Sequence, residues 1–420
     1  MPAAAPSATI GQVHEVAIEK VVSGGNCIAH LADGMTVFVP FCLPGERVRV
    51  SLAQVRSNYA QANLVEVLTP SPERISAKCR HFGSCGGCHY QHLPYEQQLV
   101  LKRELIRDQF VSTGRFVNPE VKPVMASPKE WSYRNSLQYH LSPNGKLGFH
   151  QNRSNETIEI TECHLGYPPT EELRTRLDIE PAATLKRILV RCGSQEDDLL
   201  IGFEYAGDAL PEFGTELPYS AVVMNATGEV LLAGTPYNVF DLLGERFIVS
   251  AGSFFQVNLE QTVAMVKYLL EKTDIKREDT VFDLYCGVGL FSKFIAPRVK
   301  EVIGVELSES ACDDYAANLD GNENVALYIG SVEEVMPSMP QKPDVVILDP
   351  PRAGLTPGVI DAILQSEARQ VVYVSCDPAT LARDCRRFVD GGFQLEEIQP
   401  FDLFPQTFHV ETVVLMSRFE

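Results

Sequence analysis

The sequence predicts an α/β chain in three parts: an OB-like β-barrel over 1–70, a central β-rich domain over 71–250, and an open Rossmann-like α/β domain over 251–420. Three observations carry this reading. Short apolar runs separated by turn residues fill the first 70 positions; after about residue 250, apolar runs alternate with polar, helix-like stretches. Between these regions lie a knot of cysteines, one amphipathic stretch and a return to strand-and-turn patterning. A chain of 420 residues is also too long for one ordinary core.

The amino-terminal runs are VHEVAIEKVV, GMTVFVP, ERVRVSLAQV and QANLVEVL, with Gly24-Gly25, Asp33-Gly34 and Leu43-Pro44-Gly45-Glu46 between them. Strands of this length and spacing suit a small barrel. Next, YEQQLVLKRELIRDQFVSTG places Leu99, Leu101, Leu105, Ile106 and Phe110 at helical spacing, which predicts a helix over about 95–113 packing on the last domain. In the centre, LSPNGKLGF carries a hairpin signal at Asn144-Gly145. In the last part, TVFDLYCGVG, EVIGVE, PDVVILDPP and QVVYVSC read as parallel strands, whose ligands belong at their carboxyl ends. FQLEEIQPF and HVETVVLMSRF, with only a loop between them, predict a closing antiparallel pair.

Composition bounds the function. No run of 18 apolar residues occurs, and MPAAAPSATIGQV lacks the charged start of a secretion signal, so a cytoplasmic location with no membrane partner is expected. A net charge of -19 argues against a wholesale polyanion binder. Charge is uneven, however: Ser71 to Asn135 holds ten Lys/Arg against six acids, so any nucleic-acid contact should be local. Nothing points to an obligate protein partner. Eleven cysteines without a secretion signal do not suggest a disulfide framework, yet Cys79, Cys85 and Cys88 crowd together. Their spacing alone leaves zinc and iron–sulfur ligation both open.

Asp283-Leu284-Tyr285-Cys286-Gly287-Val288-Gly289 ends the first parallel strand, and its glycines let backbone approach a ligand. Ser292 stands where a dinucleotide fingerprint wants Gly or Ala. Glu306, 23 residues after Asp283, sits at the next strand end, where a carboxylate can accept from ribose hydroxyls. With the antiparallel close, this suits S-adenosylmethionine better than NAD. Asp349 opens Asp-Pro-Pro at a third strand end and is followed by Arg352 rather than an aromatic residue, which argues against an exocyclic amine as target.

Cys376 leaves the fourth strand just before a helix starting near Pro378, where the helix N-terminus is expected to favour the thiolate. A pyrimidine C5 is too weak a nucleophile to take a methyl group unaided; thiolate attack at C6 makes it enolate-like. The C5 proton must then be removed, and Glu411 at the start of the last strand is the candidate base.

Together DLYCGVGLFS, ILDPPRAGL, VYVSCDPATLARD, FPQTFHVETVVLM, SFFQVN, CRHFGSCGGCHYQH and FCLPGERV resemble the RNA uracil-5-methyltransferases over nearly the whole chain. That resemblance implies a TRAM domain for the barrel, S-adenosylmethionine as cofactor, Cys376 as nucleophile and Glu411 as base. It places Gln256, Asp283, Tyr285, Gly287, Gly289, Glu306 and Asp349 at the cofactor site. It further implies a [4Fe-4S] cluster on Cys79, Cys85, Cys88 and Cys163, and an RNA substrate, 23S rRNA favoured over tRNA, whose uracil must leave its stack. Tyr133, Arg134 and Phe149 are candidate RNA contacts. Cytosine-C5 methylation would use the same thiol, and a non-catalytic RNA-binding iron–sulfur protein would not need it.

Overall fold

The computed structural model describes residues 8–180, 185–206, 212–225 and 228–418. The last domain is built on one seven-stranded sheet, in the spatial order Val325–Ile329, Glu301–Glu306, Thr280–Leu284, Val345–Leu348, Gln370–Ser375, Glu411–Arg418 and Phe393–Phe401. The first five strands run parallel and the final two join antiparallel. Side chains alternate between two cores: Phe282, Val346, Tyr373 and Val414 face one, Val281, Ile347, Val372 and Val413 the other. Burial on both faces explains why these strands read as unbroken apolar runs. Val325–Ile329 is a strand that the sequence reading did not count; it lies at the sheet edge with no residue fully buried, so it has no such run to show.

Both cores reach back before residue 251. The helix Tyr95–Ser112 places Ile106 and Phe110 in the first; the hairpin Tyr237–Leu242 and Glu245–Ser250 places Phe240 and Phe247 in the second, beside Met265 and Leu269 of helix Leu259–Lys272. Each fully buried aromatic ring of this kind contributes on the order of 2–3 kcal/mol. The early segments are therefore part of the catalytic domain's packing.

The centre is a second seven-stranded sheet, ordered Gly228–Ala233, Ser220–Asn225, Leu199–Tyr205, Leu185–Cys192, Ser136–Leu141, Leu147–His150 and Thr157–Glu159. Gly145, at φ 73°, turns the hairpin between Ser136–Leu141 and Leu147–His150. The amino-terminal part is a six-stranded sheet in the order Val13–Ala17, Arg47–Val55, Tyr59–Thr69, Thr36–Pro40, Asn26–His30 and Lys20–Val22. The run expected as one strand, VHEVAIEKVV, divides because the Ile18 amide donates to the Glu46 carbonyl and the Glu19 amide to that of Ile28, on different neighbours. No helix among the described residues is long and apolar enough to cross a membrane.

One residue fastens the first sheet to the cysteine segment. Glu46 is fully buried, and its carboxylate accepts from Arg74 Nε at 2.5 Å and Nη2 at 2.8 Å, and from the amides of Leu43 and Ser71. Burial alone would raise its pKa, but the Arg74 hydrogen bonds and the two amides outweigh that and hold it below the ordinary value. A depressed carboxyl pKa gives stability above the unfolded-state value that is lost as pH falls through the folded one. Glu46→Gln is expected to cost about 3 kcal/mol at pH 7, and the gap from wild type should narrow near pH 4. Urea unfolding of the full chain at both pH values checks this; an unchanged midpoint at pH 7 overturns it.

Candidate active site

The cofactor loop follows directly from strand Thr280–Leu284. Tyr285, Gly287 and Gly289 all have positive φ, at 63°, 53° and 87°. At Gly289 a Cβ would meet Leu319 at 2.9 Å and Tyr315 at 3.0 Å, so packing demands glycine there; at Gly287 a Cβ would meet nothing within 4 Å, leaving the backbone open to a ligand. Asp283 lies wholly buried beneath the loop, where Oδ2 accepts from the Ser292 amide at 3.0 Å and hydroxyl at 2.6 Å. The same hydroxyl accepts from Tyr315 at 3.0 Å, which explains a serine in the sixth place of the glycine loop. Burial, more than the Ser292 bonds can offset, pushes Asp283 up to about 6. Glu306 accepts from the amides of Gly287, Leu307 and Ser308 at 2.8–2.9 Å, fixing its carboxylate at the strand end. The Tyr285 hydroxyl donates to Glu333 at 3.1 Å.

Thiol and carboxylate meet across two adjacent strands. Ser375 pairs with Thr412, so Cys376 and Glu411 are the next positions out on neighbouring strands, with Asp349 just past the end of Val345–Leu348 alongside. Burial first, then the charges of Glu411 and Asp349, push the Cys376 thiol up to about 11, with Arg352 opposing. The expectation that the helix N-terminus favours the thiolate is corrected here. Asp377 caps helix Pro378–Asp390 and takes the Ala379 and Thr380 amides at 2.9 and 3.0 Å, so those donors are already engaged. Glu411 is held well above the carboxylate range by burial and then by Asp349, and burial brings Asp349 up to about 7. Arg352 is the cation that opposes the shifts of both Cys376 and Glu411. Its Nη2 lies 3.3 and 3.4 Å from the two ring nitrogens of His409. Burial and then Arg352 lower His409 to about 3, so the ring is neutral and can accept. The Arg352–His409 pair was not foreseen, although both residues stand inside motifs that were.

Gln256 is buried, its carbonyl accepts from Asn135 Nδ2 at 3.2 Å, and no described residue engages its side-chain amide. It lies between Phe255 and Val257, which line a cavity of about 1270 Å³ shared with the central sheet. Cys79, Cys85, Cys88 and Cys163 all face this cavity; Cys376 and Glu411 do not. After burial and a bond to Gln91, the largest influences on the Cys88 thiol are Cys163, Cys85 and Cys79, so the other three cysteines lie around Cys88. The Gly87 amide points at Cys85 Sγ at 3.4 Å, and backbone groups of Leu165 and Gly166 bond Cys163. Among the described residues no group of three or more His, Cys, Asp or Glu side chains, these cysteines included, is arranged to hold a metal ion.

Of the candidate RNA contacts, Tyr133 is buried and its hydroxyl donates to the Pro405 carbonyl at 3.0 Å, which commits it to the protein interior. Phe149 stacks on Tyr139 with centroids 4.8 Å apart and lines the cavity. Arg134 also lines it, and its buried Nε has no partner among the described residues.

Comparison with known proteins matches residues 243–419 to the tRNA (Uracil-5-)-methyltransferase family and residues 7–65 to the TRAM domain. An uncharacterized RNA methyltransferase of Halalkalibacterium halodurans is 33% identical over 96% of this chain and 97% of its own. One of Bacillus cereus is 32% identical over 97% and 96%. Among solved structures, the Pyrococcus abyssi tRNA (uracil-54, C5)-methyltransferase in complex with S-adenosyl-L-homocysteine superposes with a TM-score of 0.74 at 25% identity, covering 96% of this chain and all of that one. With a glycine loop at the strand ends, a thiol beside it and these relatives, the chain belongs to the S-adenosylmethionine-dependent RNA uracil-5-methyltransferase family.

Proposed function

We propose that the chain makes 5-methyluridine by covalent catalysis, with Cys376 as nucleophile and Glu411 as base. The observation that carries this is their placement on neighbouring strand ends, with Asp349 and Arg352 beside them. Cys376 gives up its proton to solvent and its sulfur bonds to uracil C6; the C5=C6 electrons move onto C5 and the O4 carbonyl. S-adenosylmethionine supplies the methyl group that C5 attacks. Glu411 then takes the C5 proton, the C6–S bond breaks, and the thiolate departs. Arg352 favours the charged forms of Cys376 and Glu411, while Gln256, Tyr285, Gly287, Gly289, Glu306 and Asp349 hold the donor and base, with Asp283 bracing the loop from below.

The favoured substrate is 23S rRNA, because barrel and cysteine cluster occur together. The likeness to the Pyrococcus abyssi enzyme favours tRNA as a second reading. What supports a [4Fe-4S] cluster on Cys79, Cys85, Cys88 and Cys163 is that four free thiols face one cavity, with backbone groups bonding three of the sulfurs and Gln91 the Cys88 thiol. Such a cluster would fix the loop between Cys79 and Cys88 against Cys163. Anaerobically purified protein should carry about four irons per chain, with Cys163→Ser losing most of them; iron and sulfide assays at zero would remove the cluster from the reading.

Mass-spectrometric mapping of uridines in rRNA and tRNA from cells lacking the protein decides the target. Restoring wild type should return one 5-methyluridine. Cys376→Ala should reduce turnover by roughly three orders of magnitude or more, and Glu411→Gln by about 10²–10⁴-fold. A wild-type methylation pattern with Cys376→Ala would overturn the thiol assignment.

A thiol at about 11 should also show itself directly. Site-resolved iodoacetamide labelling of Cys376 in ligand-free enzyme is expected to rise roughly tenfold per pH unit from pH 7 to 9, since only the thiolate reacts. A plateau below pH 8 would mean an activated resting thiolate.

A further inference from the structure

The segment 402–410 connects the last two strands, whose closing pair is Phe401 with Glu411. It has no ladder of its own, yet four successive carbonyls are each taken by a different part of the chain. Asn258 Nδ2 donates to Leu403 at 3.2 Å, Lys102 Nζ to Phe404 at 3.1 Å and the Tyr133 hydroxyl to Pro405 at 3.0 Å. Gln406 receives the amides of His89 and Tyr90 at 2.8 and 3.0 Å, just after Cys88.

Gln406 also adopts φ 68°, a costly conformation for a residue other than glycine. Gln98 of helix Tyr95–Ser112 holds it there. Gln98 Oε1 accepts from the Gln406 amide at 3.1 Å, and its Nε2 donates to Gln406 Oε1 at 3.0 Å and to the Leu93 carbonyl at 2.9 Å. Both glutamines are almost wholly buried. Beyond them Phe408 packs edge-on against His89 and lies over Gly25 of the first sheet. His409 and Glu411 follow immediately. An irregular segment held at four successive carbonyls has little freedom to shift, and it leads directly to the carboxylate.

We propose that 402–410 is a positioning strap for Glu411, with Gln98 and Tyr133 as positioning residues, so that the cysteine segment and helix Tyr95–Ser112 act on removal of the C5 proton rather than on methyl transfer. This rests on the thiol-and-base reading above. A base displaced by a fraction of an ångström leaves the earlier steps intact and slows the later one, so the RNA remains methylated and bonded to Cys376.

The test uses full-length Gln98→Met and Tyr133→Phe, each removing strap hydrogen bonds with little change of volume, with Glu411→Gln as reference. Radiolabelled transcripts of 23S rRNA and of tRNA are incubated with S-adenosylmethionine, and single-turnover methyl incorporation is compared with protein–RNA adduct on denaturing gels. Both variants should incorporate methyl groups at near wild-type rates, accumulate adduct, and release product roughly ten- to a hundredfold more slowly. Methyl incorporation and release falling in parallel without adduct would mean a structural role only, and wild-type behaviour would mean that the strap is dispensable; either overturns the inference. Should Gln98→Met lower the melting temperature markedly, Tyr133→Phe, which loses only a hydroxyl, decides. If Glu411→Gln itself accumulates no adduct, the base assignment fails, and the strap's role fails with it.

Discussion

Lys102 and Asp402 lie 2.6 Å apart with no solvent exposure on either side chain, joining parts of the chain 300 residues distant. Burial pulls Lys102 below its ordinary value and Asp402 opposes it. Desolvating two charges offsets much of their attraction, so the net gain in stability is small. What the pair dictates is position: any docking of helix Tyr95–Ser112 that separates the two leaves a buried charge unpaired, at a cost of about 3–5 kcal/mol. The helix, the cysteine segment ahead of it and the sheet carrying Cys376 and Glu411 are therefore held in one arrangement.

With that arrangement set, the electrostatics of the site follow. Cys376, Asp349 and Glu411 are three neighbouring acids, and Arg352 is the cation that acts on two of them. All three cannot ionise together, because each negative charge raises the next pKa. Glu411 and Cys376 are accordingly both held above their ordinary values. Reactivity then depends on what enters the site: a cationic donor supplies the positive charge that the protein itself provides sparingly.

The sequence made local chemistry legible and distant geometry opaque. DLYCGVG, DPPR, SCDP and HVET each lie on a single strand end, and a parallel sheet gathers its strand ends by construction, so their order along the chain was enough to bring them together. The expected thiolate failed because a helix N-terminus was counted as free when Asp377, the next residue, already engages its amides. Short elements such as the edge strand Val325–Ile329 and the inner strand Asn26–His30 escaped notice because a short, partly exposed strand carries little hydrophobic signal. Tyr133 was mistaken for a surface residue because nothing nearby in sequence reveals that its hydroxyl meets Pro405, some 270 positions on.

The early segments also account for a feature the motifs alone leave puzzling. A methyltransferase sheet needs helices on both faces, and here one face is covered by helices Pro357–Gln365 and Pro378–Asp390 together with helix Tyr95–Ser112, which lies more than 100 residues before them. That helix also grips the segment leading to Glu411, through Gln98 and Lys102. Glu46 and Arg74 then tie the first sheet to the start of the same cysteine segment. Along the chain, the first sheet, the cysteine segment, the helix and the catalytic sheet are thus fastened together by buried polar contacts.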